Sequence, residues 1–506
     1  MLTFVDTPLA APFTVPEPHP GRWDAALGAA LLPGANAAAA RLAEPGALVV
    51  TTGQQPGLFG GPLYTLHKAL SARALARALE RRWNRPVVPV FWVAGDDHDF
   101  AEGATASWFG ADGRLETGTL DPRPADAPMA PLSREPMPAG VPALLDRLGA
   151  ALPPSPAREA TLAWLGRHYR GGHTLGGAFG GAMAELLGPL GIVCFDSTSP
   201  AAKRAAAPYL FRALDEAADV DGHLARRAAA LEAAGHDPGV KVGDGAALVF
   251  LDGALGRDRL TRDGDGFATR RGGERLSRAD LDRIAAAEPG RLSPNVLLRP
   301  VVEAAILPTV AYLAGPGELR YLRLAEALYQ PLGVPRQTPV PRWSGLLLER
   351  RVTRTLEKLG FRLEELLGPA APLEERLLRR LAPADFEPAF ADLRHALQTG
   401  FARTTAVALE IDPTLKTPAE RAGMAALGGV ADLEKRLLQA QKRRQGELID
   451  QLGRARDAVL PANQPQERVI GPAALLGRYG FDFLTDLAGH IDRWFAAALE
   501  AGQAPA

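Results

Sequence analysis

The chain has 506 residues, 47% of them hydrophobic, enough for a large core spread over two or three domains or one domain with large insertions. Lysine and arginine number 57 against 58 acids, so a nucleic-acid backbone is not the expected partner. The single cysteine, Cys194, excludes an intrachain disulfide and a cysteine-rich metal site, and no run approaches the ~18 apolar residues of a membrane span.

The opening MLTFVDTPLAAPF has no basic region followed by a long apolar run, so no signal peptide is expected there and the expected location is the cytoplasm. One helix is expected near Trp23–Leu42. Ala47–Val50 then reads as a strand buried on both faces. The glycine-rich loop TTGQQPGLFGGPLYTLHKAL follows it from Thr51 to Leu70 and becomes a helix. Ala72, Leu75, Ala76, Leu79 and Trp83 mark the apolar face of that helix, with Arg73, Arg77, Glu80 and Arg81 opposite. Pro86 ends it, and Val87–Trp92 is a second buried strand. This β-loop-α-β unit builds parallel sheets, whose ligands sit at the strand carboxyl ends.

Residues 103–160 read as a loop-like insertion, rich in glycine and proline. Helices are expected at 159–170 and 177–190, a third strand at Gly191–Asp196 and a helix from about 200 to 234. Cys194, inside the third strand, reads as a small buried residue. Residues 236–285 alternate and carry turn signals, the mark of short antiparallel strands. Thr309–Leu313 is a further strand, and AGPGEL after it opens a helix. Beyond Pro341, apolar residues three or four apart (Leu348, Val352, Leu356, Leu359; Phe386, Phe390, Leu393, Leu397; Leu433, Leu437, Ala440) predict packed antiparallel helices, a coiled-coil arm over 346–457. Residues 458–506 leave the pattern and are expected to return to the core of 1–345.

Three stretches carry chemistry. The glycine loop matches neither GxxxxGK[ST] nor GxGxxG, but a glycine turn entering a helix can face backbone N–H groups to an anion. Gln54 and Gln55 add amides, and His67 and Lys68 sit at the helix start, in reach of a carboxylate, phosphate or leaving group. GDDHDF places Asp96, Asp97, His98 and Asp99 at a strand end, to act as a general base, hold an amine or bind a metal. If the chain is extended there, Asp97 and Asp99 share one side and Asp96 and His98 the other. In SPNVLLRP and AGPGELRY, Asn295 and Arg299 stand among apolar residues, and Arg299 needs an anion from substrate or from Glu303. The candidate catalytic residues are His67, Lys68, Asp97, His98 and Asp99. The candidate substrate-binding residues are Thr52, Gly53, Gln54, Gln55, Tyr64, Trp92, Asn295, Arg299, Gly315, Gly317 and Glu318. No metal site is predicted.

TTGQQPGLFGGPLYTLHKAL, PVFWVAGDDHDF and SPNVLLRPVVEAAILPTVAYLAGPGELRY, with FDSTSP and the late QPQERV before GRYGFDFL, resemble the bacillithiol-biosynthesis cysteine-adding enzymes, in the same order over nearly the whole chain. The resemblance implies a Rossmann-like α/β core with two connective insertions and a helical coiled-coil domain. It also implies a ligase that joins cysteine to the amine of glucosaminyl-malate, the last step to bacillithiol. A free carboxylate needs activation before it condenses with an amine, so ATP or another activating nucleotide is the expected co-reactant, although no standard ATP motif is present. On this reading His67 and Lys68 hold the activated carboxyl, an acid between Asp97 and Asp99 takes the amine proton, and Arg299 or Asn295 grips a substrate carboxylate. Two other classes stay open from the residues alone: a metal-dependent hydrolase built on Asp96–Asp99, and a non-catalytic adaptor built on the arm, which could also pair two subunits as a homodimer.

Overall fold

The computed structural model describes residues 2–243 and 245–501, which form two compact units: Leu348–Pro465, and Leu2–Leu347 with the segment from Gln466 onward. In the second of these, β1 (Leu48–Gln54) leads through the glycine loop to α1 (Tyr64–Trp83) and β2 (Val87–Val93). β3 (Val193–Asp196) is followed by α2 (Pro200–Asp215). Five short strands come next: β4 (Ala246–Gly253), β5 (Gly256–Asp263), β6 (Gly266–Thr269), β7 (Arg275–Leu276) and β8 (Leu292–Pro294). α3 (Arg299–Ile306), β9 (Thr309–Ala314), α4 (Pro316–Ala325) and β10 (Thr338–Pro341) complete the series.

The main sheet runs β10-β9-β1-β2-β3, with every pair parallel. The apolar runs of β1 and β2 are buried along their length because helices cover the sheet. Ala72, Leu75, Ala76 and Leu79 of α1 are fully buried, as their spacing predicts. Arg73 and Arg77, on the polar side, meet Asp492 of the C-terminal helix Asp482–Ala501 at 2.8 and 2.9 Å. From β1 the chain builds outward to β2 and β3, then adds β9 and β10 on the other side of β1. The strand order therefore reverses between β1 and β9, where a crevice opens at the carboxyl ends.

The predicted antiparallel insertion is a separate five-stranded sheet, β7-β6-β5-β4-β8. Two expectations need correction. Residues 103–160 are not loop-like: they hold a hairpin, Thr105–Phe109 with Leu115–Thr119, the helix Val141–Ala151 and the start of the helix Pro156–His168. Trp108, Leu144 and Leu148 bury there, and the dense prolines and glycines between these short elements hid them. The helix expected at Trp23–Leu42 is three short pieces, because Gly34 takes φ +144° against the backbone of Ala184.

The unit Leu348–Pro465 is helical. α5 (Phe386–Ile411) and α6 (Lys416–Arg444) pair as a hairpin closed by Pro413–Leu415. Gly423 leaves room for the Phe401 ring, and Glu434 receives Arg394 and Arg379 at 2.7 Å each. The apolar series breaks at Arg444, where the helix stops and restarts at Gly446.

Candidate active site

A cavity of about 350 Å³ lies at the carboxyl edge of the main sheet, the position the strand reversal dictates. Each of the five parallel strands reaches it through its carboxyl end or the residues that follow: Gly53, Gln54 and Gln55 after β1, Trp92, Asp96 and Asp97 with β2, Ser197 after β3, Tyr312 and Gly315–Glu318 with β9, and Arg342 after β10. Six cationic side chains (Lys68, Lys203, Arg257, Arg299, Arg342 and Arg468) line it against three carboxylates (Asp96, Asp97 and Glu318), so the site suits an anion.

Tyr64, His67 and Lys68 show how the helix sorts the motif. Tyr64 and Lys68 are four residues apart and share the face toward the cavity. His67 is turned about 100° from Lys68 and faces the other way. Lys68 Nζ donates to Glu318 (2.8 Å), to Gln54 Oε1 (3.3 Å) and to the carbonyl of Gly53. Burial pushes the Lys68 ammonium below its ordinary range, and Glu318 opposes that shift. The Glu318 carboxylate also accepts from Tyr312 Oη and from the Gly315 N–H, each at 2.7 Å. Burial would raise its pKa, but Lys68 and these hydrogen bonds outweigh burial and hold it below the usual carboxylate range. Tyr64 Oη accepts from Gln54 and donates to Glu102, both at 3.2 Å, and burial followed by the Glu102 charge keeps its hydroxyl protonated.

His67 departs from its expected role at the reacting carboxyl. It is fully buried, donates from Nδ1 to Glu467 Oε2 at 2.9 Å and meets the Trp343 ring edge-on. Glu467, from QPQERV, also accepts from Ser344 (2.8 Å) and takes both terminal nitrogens of Arg342, one at 2.8 Å. His67 thus acts on the cavity only through Glu467 and Arg342.

The glycine loop also differs from the expectation. Its N–H groups do not form an anion cradle: Gly60 donates to Tyr169 Oη (3.0 Å), Gly61 to Leu58 and Leu63 to Ile470, while Tyr169 donates to the Gly57 carbonyl (2.7 Å). Gly57 and Gly61 are required because their backbones approach each other closely: a Cβ on Gly57 would lie 2.8 Å from Gly61 Cα. Thr52, expected to bind substrate, is buried and donates to the Leu313 carbonyl at 2.9 Å. Gly53, Gln54 and Gln55 do reach the cavity, and Gln55 Nε2 is buried with no acceptor among the described residues.

The GDDHDF acids do not alternate, since Gly95 and Asp96 form a turn rather than extended chain. Asp96 and Asp97 both line the cavity, whereas His98 and Asp99 are not on its wall. Asp96 pairs with the buried Lys203, and Asp99 caps the short helix Phe100–Gly103 through the Glu102 N–H at 3.1 Å. His98 contacts Arg257 at 3.3 Å; burial, then that charge, lowers its pKa, and it serves as a neutral acceptor. Among the described residues no three His, Cys, Asp or Glu side chains converge on a metal position.

Asn295 lines the cavity while its Oδ1 caps α3, accepting from Leu297 and Leu298 at 3.0 and 2.9 Å. Arg299 makes the pair with Glu303 at 2.7 Å and still lines the wall beside the Tyr312 ring. Gly315 and Gly317 flank the start of α4, where a Cβ on Gly317 would meet nothing within 4 Å. Lys203, Arg257, Tyr312, Arg342 and Arg468 reach the cavity without having been singled out from the sequence. Arg342 and Arg468 lie beside segments that had been noticed; Arg257 lies in the antiparallel insertion, where nothing separated it from Arg259 or Arg262.

A five-stranded parallel sheet, covered by helices and holding its cavity at the reversal of strand order, makes this unit Rossmann-like, and a helical coiled-coil domain accompanies it. Residues 29–343 match the family model described as bacillithiol biosynthesis BshC, N-terminal Rossmann-like domain, and residues 345–494 match that of the C-terminal coiled-coil domain. A relative from Koribacter versatilis, named "Putative cysteine ligase BshC", is 35% identical over 451 residues, covering 88% of this chain and 82% of the relative. Relatives of the same name from Solibacter usitatus and Symbiobacterium thermophilum are each 32% identical, over 88% and 89% of this chain and 82% and 83% of their own lengths. The chain belongs to the bacillithiol biosynthesis BshC family.

Proposed function

We propose that this protein is a cytoplasmic cysteine ligase that joins the carboxyl of cysteine to the amine of glucosaminyl-malate. The observation that carries the reading is the cavity itself: a wall rich in cations, with carboxylates interspersed, fits substrates that bear both carboxylates and an amine. The names of the relatives support the same reaction class. Asp97, on the cavity wall, is the group assigned to take the amine proton as the C–N bond forms. Lys68, held by Glu318, places positive charge where the carboxyl oxygen gains negative charge. The carboxyl needs activation before it reacts: ATP, the activator assigned here, would transfer a phosphoryl or adenylyl group to it, and the C–O bond to that group breaks as the C–N bond forms, releasing phosphate or AMP.

The test is direct. Purified protein is incubated with cysteine and glucosaminyl-malate, with and without ATP, and the products are weighed by mass spectrometry. The amide adduct is expected only with ATP. No adduct in either arm overturns the ligase reading, and adduct in both arms overturns the assignment of ATP.

A further inference from the structure

Four of the cations on the cavity wall already have carboxylate partners: Lys68 with Glu318, Lys203 with Asp96, Arg299 with Glu303 and Arg342 with Glu467. Arg257 differs. Among the described residues it makes no ion pair, and its hydrogen-bond partners are all neutral. Nε donates to Ser293 Oγ (2.9 Å), Nη2 to the Pro294 carbonyl (2.6 Å) and Nη1 to His98 Nδ1 (3.3 Å), while the guanidinium lies 4.1 Å over the Phe250 ring. Three of its five N–H groups are thereby used, leaving one on each terminal nitrogen. The backbone beneath is fixed too. Gly256 takes φ +77° against Met129, and the Arg257 N–H donates to the Met129 carbonyl at 3.0 Å.

Asp96 and Asp97 offset part of the Arg257 charge from a distance, but among the described residues no carboxylate is bonded to it, and a largely buried guanidinium gains from a directly paired anion. Arginine's planar fork matches a carboxylate through its two terminal nitrogens. We propose that Arg257, delivered by the antiparallel insertion, binds a substrate carboxylate at the β2–β3 end of the cavity, and that this insertion is therefore part of the binding site. The proposal rests on the ligase reading for the identity of the carboxylate, which belongs either to cysteine or to the malate moiety.

The experiment reads binding without turnover, so it stands or falls separately from the ligase reading. Titration calorimetry on the full chain, with L-cysteine and with L-malate as probes, compares wild type with Arg257→Gln. Loss of a charge-assisted pair of hydrogen bonds is expected to weaken one probe by about ten- to a hundredfold and the other by less than about twofold. The probe that weakens identifies the source. Unchanged affinity for both, equal loss of both, or no binding of either to wild type overturns the proposal. If Arg257→Gln does not fold, Arg257→Lys keeps the charge, loses the fork and is read by the same criteria, with an expected loss of about tenfold.

Discussion

Lys68 is buried in the wall and Glu318 is partly buried beside it, so each depends on the other for its charge. Removing one partner of such a pair strands the other, at a cost of about 3–5 kcal/mol, whereas removing both charges costs less. Lys68→Met is therefore expected to lower unfolding free energy by about that amount in urea titration, and Lys68→Met with Glu318→Gln to recover part of it. Both variants are expected to form no adduct if Lys68 has the role proposed for it at the reacting carboxyl, because both lack that cation. A double variant no more stable than the single one would show that the pair contributes no electrostatic stability. The lysine was visible in advance from its motif alone, and a second signal in the composition went unused. Only seven lysines occur among 57 basic residues, and two of them, Lys68 and Lys203, line the cavity. His67, next to Lys68 in the chain, was misplaced because adjacent residues on a helix point about 100° apart.

Strands and helices were read from the sequence more reliably than the loops that join them. β1, β2, β3 and β9 follow from apolar runs of strand length, and α1 from its spacing, because burial on both faces or on one leaves a direct mark. The glycine loop shows what composition cannot say. Its glycines looked like an anion cradle, but Tyr169, more than a hundred residues away, closes the turn and takes up its polar groups. Tyr169→Phe would leave the Gly57 carbonyl and the Gly60 N–H unpaired in a buried place. The expected cost is about 2–4 kcal/mol in thermal or urea unfolding. Affinity for substrate should stay within about twofold of wild type, since Gly57–Gly61 are not on the cavity wall. A large loss of affinity in a folded Tyr169→Phe protein would restore the loop to the binding site.

The stability of the sheet unit as a whole should carry the signature of the His67–Glu467–Arg342 cluster. Burial pushes the His67 imidazole below its ordinary value of 6.5, although Glu467 opposes that shift. As pH falls through about 6.5, the unfolded chain takes a proton on this residue and the folded protein does not. The unfolded state then binds more protons, so stability falls with falling pH, by up to about 1.4 kcal/mol per unit for one group. Glu467 acts in a lower window. Burial would raise its pKa, but His67 and Arg342 outweigh burial and hold it well below 4.5. Its contribution is complete above about pH 4.5 and is lost as pH falls further toward its folded value. His67→Gln removes the first effect and leaves the other histidines in place. Urea unfolding between pH 8 and 5 should give parallel curves for wild type and variant above about pH 7. Below about pH 6.5 the wild-type curve should fall more steeply than that of His67→Gln. Curves that stay parallel down to pH 5 would mean that His67 binds its proton equally in both states, which is incompatible with a neutral imidazole held between Glu467 and Trp343.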